Sequence, residues 1–146
     1  MARLNDMTVH RMPADISRAF PPNYEEICKH IPTVRARGAA VVFTYGRTIH
    51  SPMSDKLRDD LMAHEMVHVV RQSNPEEWWS QYLTDPVFRL KEELLAYKAQ
   101  YKYALEHYGK AMRKTILNSI ATDLSGPLYG KLVTKREATR LIKADK

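Results

Sequence analysis

The chain has 146 residues, of which 44% are hydrophobic and 27% are charged, and its formal net charge is +6. These values are typical of a globular protein that buries its own core, and they exclude wholesale disorder. The single cysteine, Cys28, cannot form an internal disulfide, and we expect it to act as a small, half-buried hydrophobic residue. We therefore predict one domain over residues 1–146.

Neither the N-terminal residues 1–20 nor any later stretch carries the apolar run of a signal peptide or a transmembrane helix. We therefore expect a cytoplasmic protein without membrane contact. The positive charge is concentrated from residue 86 onward, where 13 Lys and Arg accompany 6 Asp and Glu. Because these charges are scattered singly and no nucleic-acid-binding module accompanies them, a solvated face is favoured over nucleic-acid binding.

The first half of the chain predicts a loose start, a short helix and a hairpin. Pro13, Pro21 and Pro22 interrupt any long element at the start of the chain, so we predict an N-terminal arm over residues 1–21 with at most a short helix near residues 14–20. The segment PPNYEEICKHIP predicts a helix over residues 22–30 that ends before Pro32. The segment GAAVVFTYGRTIHSP is rich in β-branched and aromatic residues on either side of Gly46, which predicts a β-hairpin.

Helical patterns dominate the rest of the chain. Ser54 is predicted to cap a helix whose apolar and histidine positions recur every three or four residues. Asn74 and Asp85 are each followed by proline, which predicts two further helix starts. The later helices are expected over residues 86–108, 110–121 and 134–143. The C-terminal residues 126–146 would form a loop and a short helix.

The sequence HEMVH, in which His64 and His68 are four residues apart, lies within the helix that Ser54 is predicted to cap. Residues four apart lie on the same helix face with Cβ atoms about 5–6 Å from each other, so both imidazoles can bind one cation. Glu65 lies about 100° around the helix, where it would reach a metal-bound water as a general base. A catalytic zinc ion usually takes three protein ligands, and the downstream segment RLKEELLAYKAQY offers carboxylates for the third.

HEMVH together with the downstream EELLAY resembles the gluzincins, zinc metallopeptidases whose third ligand is a glutamate on a following helix. The resemblance implies Zn²⁺ as cofactor, a peptide or protein substrate, and Glu93 as the third ligand, with Glu92 as the alternative. It places Tyr97 where the family has an aspartate that hydrogen-bonds a ligand histidine. It also implies a mainly helical, zincin-like α+β domain with a small β-hairpin or sheet before the HExxH helix.

Over roughly residues 20–130 the chain is most similar to small phage-encoded HExxH proteins of unassigned role. This resemblance implies the cytoplasm of a bacterial host or incorporation in a phage particle. It also implies that the basic C-terminal segment docks on a larger phage assembly. The alternative function is that of a zinc-binding structural or interaction protein without catalysis.

Other residues are candidates for steadying a ligand or the reacting oxyanion. Gln72 lies one turn beyond His68 on the same helix face. By the resemblance, His50 borders the site, because it lies in the strand before the motif helix. The remaining candidates for the oxyanion are Tyr129, which lies in the loop sequence GPLYG, Tyr101 and Tyr45.

Overall fold

The computed structural model describes residues 14–144, and this part of the chain forms seven α-helices and one three-stranded sheet. The mainly helical α+β class is thereby confirmed. The strands are β1 (Asp15–Ser17), β2 (Phe43–Tyr45) and β3 (Thr48–His50). The helices are α1 (Tyr24–His30), α2 (Pro32–Arg37), α3 (Asp59–Arg71), α4 (Pro75–Thr84), α5 (Pro86–His107), α6 (Lys110–Leu124) and α7 (Lys135–Lys143). Short 3-10 turns lie at Gly38–Ala40 and Pro127–Tyr129.

Strand β3 is the centre of the sheet, with β2 antiparallel on one side and β1 parallel on the other. The predicted hairpin is confirmed, and Gly46 at its turn has a φ of +64°, a conformation that glycine adopts without steric cost. Strands β1 and β2 are therefore the two edges of the sheet. Edge strand β2 packs against α3, the helix that carries the HEMVH sequence.

The predicted short helix near residues 14–20 is wrong, because this segment begins with strand β1. The Asp15 N–H donates to the Arg47 carbonyl at 3.1 Å, and the Ser51 N–H donates to the Ser17 carbonyl at 2.8 Å. Ile16 packs with a small apolar cluster around the buried Ile49. Pairing with β3 thus satisfies backbone groups that a helix would have satisfied internally. Most of the predicted arm, residues 1–13, lies outside the described residues.

Two of the three predicted helix caps are confirmed. Asn74 accepts the Glu77 N–H at 3.1 Å, and Asp85 accepts two N–H groups of the first turn of α5, each at 3.1 Å. The prediction for Ser54 is wrong, because its hydroxyl bonds to Lys56 and α3 begins only at Asp59. The Ser54 side chain therefore closes a local turn with the Lys56 backbone and does not cap a helix.

Helices α3 and α5 pack against each other, and their interface contains many buried polar side chains. The main apolar cluster lies on the other sides of α5 and unites α1, α2, α4, α6 and α7. The polar residues between α3 and α5 are Asp60, His64, Glu65, His68, Glu92, Glu93 and Gln100. Buried polar groups usually have hydrogen-bond partners, and among these seven side chains only His68 has a buried atom, Nδ1, without one. Within residues 14–144, none of the helices is long and apolar enough to cross a lipid bilayer.

Candidate metal centre

His64 and His68 point from α3 towards Glu93 on α5, and all three side chains are buried. Glu93 Oε1 lies 3.2 Å from His64 Nε2 and 3.3 Å from His68 Nε2. One ligand atom from each residue lies within 4.8 Å of the other two. The two residues of α3 are together because they are one helical turn apart, and the packing of α5 on α3 adds the carboxylate.

The spacing of these three atoms fits a metal ion. Two ligands at about 2.0–2.1 Å from a tetrahedral cation are separated by about 3.3 Å, which matches the distance from Glu93 Oε1 to each histidine Nε2. A direct charged hydrogen bond would draw nitrogen and oxygen to about 2.7–2.9 Å. Two imidazoles and one carboxylate also leave one position of a tetrahedron open. His64, His68 and Glu93 can therefore hold a metal ion with room for a further ligand.

The charges of the cluster depend on one another. Burial alone would raise the pKa of Glu93, but attraction to His68, together with the contact to His64, holds that pKa well below its usual value. Burial likewise opposes protonation of His68, yet Glu93 outweighs it and raises the pKa of His68 to about 9. A cation at the cluster would replace the proton on His68, so metal binding would release a proton.

The second oxygen of Glu93 is held by Tyr82, a residue on α4 that the sequence analysis did not single out. The Tyr82 hydroxyl donates to Glu93 Oε2 at 2.6 Å, and both side chains are buried. Burial and the Glu93 charge raise the pKa of Tyr82 well above its usual value, so the phenol keeps its proton. Glu93 therefore turns Oε1 alone towards the histidines, as a ligand that uses one oxygen would.

His64 has its outer nitrogen on Gln100, not on Tyr97 as expected. Gln100 Oε1 lies 3.1 Å from His64 Nδ1, and Gln100 Nε2 donates to Asp60 Oδ2 at 2.8 Å. Arg58 in turn donates to both oxygens of Asp60. Tyr97 packs its ring edge against the His64 ring, with centroids 4.4 Å apart. Tyr97, which was expected to hydrogen-bond the ligand histidine, therefore makes only a ring contact with His64. Gln100, one turn further along α5, makes the hydrogen bond.

Glu65 is buried and reaches the cluster from the side of the sheet. Its Oε1 accepts from the Thr44 hydroxyl at 2.8 Å, and its Oε2 lies 3.8 Å from His64 Nε2. Burial raises the pKa of Glu65, although the two histidines oppose the shift. One oxygen is thus fixed by strand β2 while the other faces the atoms that would hold a metal ion. The arrangement suits a base that takes a proton beside the metal.

Glu92, the alternative third ligand, lies in a separate hydrogen-bond network. Its two oxygens accept from Arg71 at 2.7 and 2.8 Å, and Oε1 also accepts from Trp78 Nε1 at 2.9 Å. These hydrogen bonds tie α3 and α4 to α5. Because the carboxylate is already engaged by Arg71 and Trp78, the structure favours Glu93 over Glu92 as the ligand.

Tyr97 and Tyr129 form a pair of buried phenols beside the cluster. Their hydroxyl oxygens are 3.1 Å apart, and both residues line the same cavity as the histidines. Tyr45 and Tyr101 pack against the main apolar cluster and do not belong to this cavity wall. Of the predicted oxyanion candidates, only Tyr129 and its partner Tyr97 thus lie beside the site.

Gln72 and His50 both hydrogen-bond to backbone groups and not to the ligand atoms of the cluster, although Gln72 lines the same cavity as the two histidines. Gln72 accepts from the Gly46 N–H at 2.7 Å and donates to the Thr44 carbonyl at 2.9 Å, so it fastens the end of α3 to the hairpin. His50 belongs to the central strand β3, and its Nδ1 lies 3.2 Å from the Ala19 carbonyl oxygen. The strand that borders the site is β2, because β3 is covered by a strand on each side.

A cavity of about 420 Å³ adjoins the cluster. One wall is formed by the end of β2, including Phe43 and Thr44, and the opposite wall by one face of α6, including Thr115, Ser119 and Asp123. His64, His68, Glu93 and Glu65 line the same cavity. A cavity of this size holds a few amino-acid side chains or a small ligand.

Comparison of the chain with protein-family models, with curated proteins and with solved structures gave no match. The chemistry of the site therefore rests on its own geometry.

Proposed function

We propose that this protein is a zinc-dependent metallopeptidase of the gluzincin type, with His64, His68 and Glu93 as zinc ligands. The donor set supports zinc, since two imidazoles and one carboxylate with an open fourth position are a ligand set of catalytic zinc sites. The observation that carries the proposal is the placement of Glu65. A purely structural site would not need a buried carboxylate beside the ligand atoms, whereas hydrolysis requires a base there, so Glu65 weighs in favour of catalysis.

When bound, zinc would polarise the scissile carbonyl group and lower the pKa of a water molecule towards about 7. Glu65 would take one proton from that water through Oε2 as the water oxygen forms its bond to the carbonyl carbon. The C–N bond then breaks, and Glu65 delivers the proton to the leaving nitrogen. Thr44 keeps the carboxylate in place throughout by its hydrogen bond to Oε1.

The cavity between β2 and α6 is the proposed site for the peptide or protein substrate. Tyr97 and Tyr129 line it. One phenol of this pair donates to the other, and we assign the remaining hydroxyl hydrogen as the donor that stabilises negative charge on the carbonyl oxygen. Docking of the basic C-terminal segment on a phage assembly, in a bacterial host or in the particle, remains an expectation of the resemblance alone.

The test begins with elemental analysis of purified, tag-free protein, for which we expect about one zinc ion per chain. Cleavage of a peptide library is then compared between wild type, Glu65→Gln and the control Glu106→Gln, whose exposed side chain lies at the far end of α5. We expect Glu65→Gln to keep zinc and lose cleavage, and the control to keep both.

Two results would contradict the proposal. A wild-type protein without zinc after addition of zinc and buffer exchange would exclude the metal site. A protein that binds zinc but cleaves no peptide, or that cleaves equally well with Glu65→Gln, would support the alternative of a zinc-binding structural or interaction protein.

A further inference from the structure

In the chain of hydrogen bonds from Asp60 through Gln100 to His64, the donor and acceptor of each bond follow from those of the bond before it. Asp60 is completely buried, and its carboxylate receives hydrogen bonds from Arg58 and Tyr108 as well as from Gln100. Burial opposes ionisation of Asp60, but the hydrogen bonds from Arg58 and Gln100 keep its pKa below the usual value. An ionised carboxylate only accepts hydrogen bonds. The Gln100 atom that faces Asp60 must therefore be the NH₂ nitrogen.

The orientation of Gln100 then fixes the protonation of His64. With its nitrogen on Asp60, the amide presents its oxygen to His64 Nδ1 at 3.1 Å. A carbonyl oxygen only accepts, so Nδ1 must carry the hydrogen. In a neutral imidazole, the other nitrogen then has a free lone pair. That nitrogen, Nε2, is the one that faces Glu93.

We propose that Gln100 is a positioning residue: because Asp60 fixes the orientation of its amide, Gln100 accepts from His64 Nδ1–H. This hydrogen bond holds His64 in the tautomer whose Nε2 can bind a metal ion. This inference rests on the proposed zinc site and extends it. Gln100 acts through His64 and does not touch the ion or the substrate. It also joins α5, which supplies Glu93, to α3, which supplies the two histidines.

The chemistry of this position requires a side chain that accepts on one side and donates on the other. An amide does both within one rigid plane, whereas a carboxylate at position 100 would meet the carboxylate of Asp60 with no proton between them. An amide also adds no negative charge beside Glu65 and Glu93, which already lie within the buried site. Glutamine thus satisfies both neighbours where glutamate would satisfy only His64.

The dependence of His64 on Gln100 and Asp60 can be tested by exchanging the amide at position 100 with the carboxylate at position 60. Gln100→Glu alone opposes two carboxylates. Asp60→Asn alone puts an amide, which can both donate and accept, where the carboxylate could only accept, so the orientation of the Gln100 amide is no longer fixed. The double variant Asp60→Asn/Gln100→Glu restores the pattern in reverse, because the new amide can donate to the new carboxylate, which still accepts from His64. Zinc affinity is measured for all four proteins by competition with a chromogenic chelator, after circular dichroism has compared their folds.

We expect each single variant to bind zinc about 10–100-fold more weakly, and the double variant to bind about ten-fold more tightly than either single variant. Losses that simply multiply in the double variant, or single variants with wild-type affinity, would overturn the inference while leaving the zinc site intact. A wild-type chain that binds no zinc would instead remove the proposed function and this inference with it.

A measurement on the wild-type protein does not depend on how the variants fold. Long-range ¹H–¹⁵N correlation spectra of the zinc-loaded protein report which nitrogen of His64 carries the hydrogen. We expect Nδ1–H, with slow exchange against solvent because the group is buried. A hydrogen on Nε2, with Nδ1 as the zinc ligand, would overturn the inference directly.

Discussion

The hydrogen bond from Tyr82 to Glu93 should be worth a measurable share of the stability of this protein. Tyr82→Phe removes one oxygen atom and leaves the ring, which stacks on Trp78 with centroids 4.7 Å apart. The lost hydrogen bond is 2.6 Å long, both partners are buried, and the acceptor is charged. A hydrogen bond to a charged group contributes about 1.5–3 kcal/mol, so we expect the free energy of unfolding to fall by about 2 kcal/mol.

The assay is thermal unfolding followed by circular dichroism with EDTA present, so that zinc does not add its own stabilisation. For a chain of this length, 2 kcal/mol corresponds to a decrease in Tm of roughly 6 °C. The control is Tyr101→Phe on α5, a half-buried tyrosine that packs against the same apolar cluster, for which we expect a change below about 0.5 kcal/mol. If both variants unfold at the wild-type temperature, Tyr82 does not stabilise the Glu93 carboxylate and the argument is refuted.

Three further predictions concern the neighbours of the cluster. Glu93→Gln should lose zinc on dialysis, whereas Glu92→Gln should keep about one zinc per chain and unfold at lower urea concentration, because Arg71 loses its partner; equal zinc loss in both would contradict the assignment of the ligand. Gln72→Leu should lower the free energy of unfolding by about 1–3 kcal/mol with unchanged zinc content, since two hydrogen bonds to the hairpin disappear; an unaltered urea midpoint would count against it. Thr44→Val should keep zinc and reduce peptide turnover about ten-fold, because the hydroxyl that orients the base is gone; wild-type turnover would show that Thr44 does not orient it.

Local patterns were sufficient to predict the elements that bring the site together. Proline after Asn74 and after Asp85 indicated the starts of α4 and α5, and glycine between β-branched residues indicated the hairpin. The spacing of His64 and His68 placed both on one helix face. Each of these features depends on residues within a few positions of one another, so the sequence alone contains the information.

The partners of the ligands depend on how separate elements pack, and the sequence analysis missed them. Tyr82 and Thr44 lie on elements other than the ones whose carboxylates they hold, and no local pattern connects them to those carboxylates. A signal did exist for Asp60 and Gln100. Asp60 is one turn before His64 on the same face, and Gln100 is two turns after Glu93. Polar residues that continue the face of a ligand along its helix are therefore candidates for its hydrogen-bond partners.

The gluzincin pattern that the sequence resembles did not predict the role of Gln100. It assigns the hydrogen bond on the ligand histidine to the fourth residue after the glutamate, whereas here the longer Gln100 makes that bond from the seventh. The phenol ring at the fourth position fills the space beside His64 as an edge contact. The error at Ser54 has a different cause, since a serine that can cap a helix can equally close a turn of its own.

One carbonyl group of the edge strand β2, that of Thr44, already has its hydrogen-bond partners within the chain. A free strand edge offers unpaired carbonyl and N–H groups to any extended chain, including a second copy of the same protein. Here the Thr44 carbonyl oxygen already accepts from Gln72 Nε2 at 2.9 Å and from Trp79 Nε1 at 3.1 Å. An incoming strand would have to displace both donors from the Thr44 carbonyl. Because β2 has only three residues, it offers few new hydrogen bonds in exchange. Edge-to-edge pairing is thus disfavoured at the Thr44 carbonyl, on the strand that borders the cavity.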